Sequence, residues 1–287
     1  MTESNAVLET LVERLAPSGD DPVSERTWQF SERMAAIYQQ QMKHFDEDAE
    51  ARQWHRLYST EHMPPPDDTA NMAEVAAQMA FYFPTHVFKF QKAAIQQLLE
   101  WQSRQGQINP YPLGAPSITL VDIGAGVGTA SLAVIDLLAA WTDVVGEFGY
   151  KQLGISVHPI VVEPDTNKQG PRGQMLNSLA RLVDRHTISI EPVTEVFAPY
   201  PEPECIEQIL RAIPGGSLVM CCISNFLSSV PGDGEQALAP IGAQAASHAT
   251  RTTEHSAAMS ANQAAIIAEK AVRCAEASRQ LLTDPAV

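Results

Sequence analysis

The chain has 287 residues, 45% hydrophobic and 18% charged, with a formal net charge of −15; this allows one large or two small domains with a real core. The acidity is spread, with 16 acidic and 9 basic side chains in residues 1–110 and 18 and 10 in residues 111–287, so no basic stripe exists and charge does not support a nucleic-acid partner. No apolar run reaches the ~20 residues that span a bilayer, and the start MTESNAVLET lacks the regions of a secretory signal, so no membrane partner is expected.

Residues 1–110 read as helical. Within residues 23–45, Trp28, Phe30, Met34, Ile37, Tyr38 and Met42 fall close to one helical stripe, and Ser24 is placed to cap its start. The prolines of residues 63–68 remove donors and fix φ, so they end any helix. A helix restarts after Thr69. Pro84 ends it, and Thr85 caps another that runs to residue 105. Residues 106–117 are a loop rich in Pro and Gly.

From residue 118 strands and helices alternate. The pattern predicts strand 118–123, helix 129–140, an inserted loop 142–156, strand 160–163, helix 172–184, strand 187–190, helix 204–212 and strand 217–223. Such alternation implies an α/β fold: a doubly wound, mostly parallel sheet covered by helices, preceded by an all-helical segment. The expected divisions are a helical segment or lid over 1–110, a cofactor-binding core over 111–231 and an Ala-rich helical tail over 232–287. In that tail Ser260 is placed to cap a helix with Ile266, Ile267, Ala271 and Cys274 on its apolar side, and no strand is expected beyond Ile223. A sheet ending there leaves an open edge, to be covered by the tail or by a second copy of the chain.

The four cysteines, Cys205, Cys221, Cys222 and Cys274, show no CxxC spacing and two are adjacent. No metal site or disulfide framework is therefore expected, and a reducing cytoplasm is the simplest location.

The most informative stretch is "VDIGAGVGT", residues 121–129. A strand that enters a helix through alternate glycines lets a ligand approach the backbone, and the helix N-terminus offers free N–H groups and the positive end of its dipole. Dinucleotides and S-adenosylmethionine both suit such a loop. Spacing separates them: the dinucleotide fingerprint places its third glycine or alanine where this chain has Thr129. Asp122 also lies two places before the first glycine.

These nine residues resemble motif I of the class I, Rossmann-like S-adenosylmethionine-dependent methyltransferases. The resemblance implies S-adenosyl-L-methionine as cofactor, held by Asp122, Gly124, Ala125, Gly126 and Gly128. It implies that Glu163, in "IVVEPD", accepts the ribose hydroxyl hydrogens and that Pro164 lies along the adenine. The third position of the family pattern is Glu191 or Glu195. Glu195 is preferred because Val196 beside it would supply an apolar contact. Ser224 and Asn225 fall where the family's fourth strand passes the transferable methyl group. The helix-rich front also looks loosely like ribosomal small-subunit methyltransferase-like proteins, although the acidic charge opposes an RNA acceptor.

The chain departs from the family in three ways. Glu163 follows Gly128 by 35 positions, where a minimal unit has ~20. Ser224, Asn225 and Phe226 lack the prolines of the base-amine enzymes, and Cys221 and Cys222 lack the context of a catalytic thiol. The strands are fewer than the family's seven, which points to a truncated chain or to helices replacing the last strands. The resemblance thus implies transfer of a methyl group to a nucleophile on RNA, protein or a small molecule, with no catalytic residue assigned. The alternatives are a non-catalytic cofactor-binding or scaffold module and, disfavoured by Thr129, a nicotinamide-dependent oxidoreductase. His86 and Lys89 share one helix face and could serve as a base and a carboxylate partner, though a plain helix surface is the commoner use of such a pair.

Overall fold

The computed structural model describes residues 3–17, 28–47, 72–151, 154–183, 186–200 and 202–223. The expectations for Ser24, Thr69, residues 63–68, Ser224, Asn225 and the tail 232–287 lie outside these residues. In chain order the elements are α1 (Glu3–Leu15), α2 (Glu32–Glu47), α3 (Met72–Gln105), β1 (Ser117–Ile123), α4 (Thr129–Glu147), β2 (Ile155–Val162), α5 (Gln169–Leu182), β3 (Ile188–Ile190), β4 (Thr194–Val196), α6 (Pro203–Ala212) and β5 (Leu218–Ile223).

The near-continuous apolar run of β1 is buried from Ile118 onward, as in a strand covered on both faces. It pairs in parallel with β2 on one side and β5 on the other. On the far side of β2, β3 and β4 follow one another along the same edge, both parallel. The result is a five-stranded parallel sheet in an α/β architecture. Alternating side chains build two cores. Ile118, Leu120 and Val157 pack with residues of α4, α5 and the front helices. Val121, Ile123, Ile160, Val162 and Val196 pack with Cys205, Ile206 and Ile209 of α6. The chain leaves β1 toward β2 and returns after α6 to the other side of β1. That reversal makes a topological switch point at the carboxyl ends of β1 and β5, where ligands of open α/β sheets sit.

Helix α4 is apolar around almost its whole circumference because it lies between the sheet and α1–α3. By length and composition alone it could cross a bilayer, yet it is buried inside the protein. Its single buried acid, Asp136, docks the front layer. Asp136 accepts hydrogen bonds from Ser31 Oγ (2.8 Å), Arg33 Nε (3.0 Å) and Gln91 Nε2 (2.9 Å). Burial nevertheless raises its pKa. Val7, Leu11, Leu15, Met34, Phe83 and Ile95 join Ile118 and Leu132 in one cluster.

Four sequence expectations are corrected. Pro84 does not end a helix: α3 runs through it. A proline leaves the carbonyl four residues earlier without its N–H partner. That carbonyl, Ala80 O, accepts from Tyr38 Oη instead (3.2 Å). Helix α2 starts later than its apolar stripe suggests, at Glu32, because Ser31 Oγ accepts the Met34 N–H (3.1 Å) and closes the first turn. The inserted loop expected over 142–156 is shorter, since α4 continues to Glu147 and β2 begins at Ile155. The long spacing between Gly128 and Glu163 is filled by a longer helix and a longer strand. Finally, the strand expected over 160–163 begins earlier, at Ile155, and runs through Pro159 to Val162. The edge strand breaks beside it: Glu191, Pro192 and Val193 stand opposite His158 and Pro159, and pairing resumes at Thr194. The missing N–H of a mid-strand proline thus falls where the neighbour bulges.

Candidate functional site at the carboxyl ends of β1 and β2

Gly124, Gly126 and Gly128 all have positive φ (68°, 55° and 81°), a region where a side chain costs about 1–2 kcal/mol. Their alternation turns the chain from β1 over the end of β2. Gly124 and Ala125 donate their N–H groups to Val162 O (2.9 and 3.2 Å), and Gly128 donates to Ala125 O (2.7 Å). A Cβ on Gly126 would meet no atom within 4 Å, so one side of the loop is open space. A Cβ on Gly128 would lie 2.9 Å from Arg172 Cγ. The neighbour that excludes a side chain at 128 is therefore the Arg172 stem.

Asp122 is fully buried beneath the loop. Its Oδ2 accepts from Ser131 N (3.0 Å) and Ser131 Oγ (2.8 Å), holding the first turn of α4. Its Oδ1 has no partner among the described residues. Burial pushes the carboxyl up to about 6, and Glu163 pushes the same way; the Ser131 bonds and Arg172 oppose the rise. Among the described residues the N–H groups of Val127, Thr129 and Ala130 make no hydrogen bond. These are the donors that a helix N-terminus leaves for an anion.

Glu163 is the first residue beyond β2 and 8% exposed. Its own N–H donates to Val196 O (3.1 Å). Its carboxylate meets the glycine loop directly: Oε2 accepts the Gly126 N–H at 2.7 Å, and Oε1 accepts the Asp165 N–H at 3.1 Å. Lys168 Nζ lies 3.8 Å from Oε1 and 3.5 Å from Asp165 Oδ2. The two strongest sequence signals, the glycine loop and Glu163, are thus in contact. Pro164 follows with its ring exposed.

The structure separates the two candidates of the third strand. Glu191 bonds Val157 O through its N–H and accepts from Ser156 Oγ and Ser189 Oγ, toward the amino end of β2. Glu195 lies in β4 opposite Val161, toward the carboxyl end where the glycine loop is. Val196 is buried in the cluster that includes Cys205, Ile206 and Ile209 of α6.

Sequence reading missed Arg172, which the structure makes central. Its side chain is fully buried at 0% exposure. Nη1 donates to Gly126 O (2.5 Å), Nε donates to Glu195 Oε1 (3.3 Å), and Nη2 donates to Glu195 Oε2. One signal was present. A cation near a helix start opposes the dipole, and α5 has no acid in its first turn, so an arginine there implies a carboxylate partner elsewhere.

The remaining candidates are placed as follows. Burial, and then Lys89, lower the pKa of His86, favouring neutral imidazole. Burial raises the Cys221 thiol to about 11 and Cys222 further, so neither is a ready thiolate. Ser224 and Asn225 lie outside the described residues. A separate open hollow, lined by Gln40, Gln174, Asn177, Ser178 and Arg181, contains none of the loop's residues.

No family model, no curated protein and no solved structure matches this chain.

Proposed function

We propose that the carboxyl ends of β1 and β2 bind S-adenosylmethionine, and that the chain is a methyltransferase with a Rossmann-like core. The observation that carries this reading is the contact between Glu163 and the Gly126 amide, beside the open face of the loop. It sets a carboxylate suited to a ribose diol next to the unbonded N–H groups of Val127, Thr129 and Ala130, which suit a carboxylate. An adenosyl group joined to an amino acid carries both. Residues 124–128 and Glu163 would hold it, with the exposed Pro164 ring along the base.

S-adenosylmethionine held there would supply an electrophilic methyl group to an acceptor's lone pair, with S-adenosylhomocysteine as the leaving group. What this chain contributes is binding and orientation, and positioning alone can supply ~7–11 kcal/mol of the barrier. The acceptor is then a nucleophile of a protein or small molecule, the acidic charge opposing RNA. A second reading, a module that binds the cofactor without turnover, is favoured by one fact: Glu163 and Glu195 are both already bonded within the protein.

Calorimetric titration tests the proposal. S-adenosylmethionine and S-adenosylhomocysteine should bind, and NAD should not. Glu163→Ala should weaken S-adenosylhomocysteine by roughly 1.5–3 kcal/mol, the scale of hydrogen bonds to a charged group. The loss should be smaller for an analogue lacking both ribose hydroxyls, and the difference isolates the ribose contact from the effect on the loop, which Glu163 also holds. Absence of binding by the wild type sinks the reading. A screen of methyl acceptors then separates enzyme from scaffold.

A further inference from the structure

We infer that Arg172 is the positioning residue of this site: it sets the orientation of the Gly126–Val127 peptide and thereby aims the Val127 N–H at the carboxylate of the ligand's amino-acid end. The inference rests on the S-adenosylmethionine reading and adds a residue that the glycine pattern does not contain. Three observations carry it. Arg172 Nη1 holds the Gly126 carbonyl at 2.5 Å, while Glu163 holds the N–H of the same residue at 2.7 Å, so Gly126 is gripped from both sides. A trans peptide sends its N–H opposite to its C=O. With the Gly126 carbonyl turned onto the buried guanidinium, the Val127 N–H points away from it, and that N–H has no partner among the described residues. The guanidinium is itself fixed, because Glu195 takes Nε and Nη2 in a forked pair and the stem lies against Gly128.

Glycines leave a loop many alternatives, so a loop with three of them needs such a grip to present one set of donors. Lysine cannot replace it, since a single ammonium does not make the forked pair and reach the carbonyl together.

The test uses two probes on the full chain: S-adenosylhomocysteine, and methylthioadenosine, which has the same adenosyl thioether without the amino acid. Arg172→Lys should weaken S-adenosylhomocysteine at least tenfold and methylthioadenosine less than twofold. Glu195→Gln, which weakens the grip on the guanidinium and keeps Arg172, should show the same selectivity in smaller measure; it carries the test if Arg172→Lys does not fold. Equal weakening of both probes, or none, overturns the positioning role while leaving the site intact. Failure of the wild type to bind S-adenosylhomocysteine overturns the cofactor reading itself, and the inference with it.

Discussion

Replacing Gly128 by alanine separates backbone strain from the cost of displacing Arg172. The backbone at Gly128 has φ +81°, and a Cβ there would stand 2.9 Å from Arg172 Cγ and 3.2 Å from Cδ. Left-handed backbone costs alanine about 1–2 kcal/mol. Contacts that short cannot persist, so the Arg172 stem must move. The guanidinium at its end bonds Glu195 and Gly126 O, and loosening one such charged hydrogen bond costs about 1.5–3 kcal/mol. The expected total is roughly 2.5–5 kcal/mol of unfolding free energy. Gly149 provides an internal control: its φ is +79°, and a Cβ there meets nothing within 4 Å. Gly149→Ala should therefore show the backbone cost alone. Urea unfolding of both variants, read as a shift of midpoint at constant slope, gives the two numbers. Equal destabilisation would refute the claim that Arg172 is what excludes a side chain at 128.

Two further outcomes follow from polar groups inside the fold. Asp122 is raised from 3.8 to about 6 in the folded protein, so its stabilising contribution is complete below pH 3.8 and is lost as pH rises toward and through 6. By pH 7 wild type should have lost roughly 2–3 kcal/mol that Asp122→Asn does not lose. The difference in unfolding free energy between the two should move in the variant's favour from pH 4 to pH 7, and a flat difference would count against the buried charge. In the front layer, Tyr38→Phe removes the donor to the part-buried Ala80 O and should cost about 0.5–1.5 kcal/mol, the net worth of one hydrogen bond. In a Pro84→Ala background the residue-84 N–H is restored, so the same change should cost much less. Identical costs in the two backgrounds, by urea unfolding, would show that Tyr38 does not substitute for the missing helical bond.

What the sequence determined is what short range controls. The apolar run into three alternating glycines set β1, the turn and the start of α4, because residues with positive φ are demanded locally and glycine tolerates them. The ends of α5, α6 and β5 likewise fell within a few residues of their apolar periods. The carboxylate at the end of β2 was legible for the same reason: a strand end is read from the run that precedes it. Partners distant in the chain decided the rest. Pro84 looks like a terminator until Tyr38, 46 residues earlier, satisfies the carbonyl it strands. The strand expected from residue 160 in fact begins at Ile155, and Pro159 fits within it because the neighbouring edge breaks at Glu191–Val193. Asp136 reads as an odd polar residue in an apolar helix until Ser31 and Arg33, at the start of α2, and Gln91 of α3 reach it. Arg172 is one more surface arginine in a helical segment until folding carries it 46 residues back to Gly126. Buried polar groups require partners, but nothing local specifies which residues those are; the tertiary fold made those choices, and with them the grip on the glycine loop.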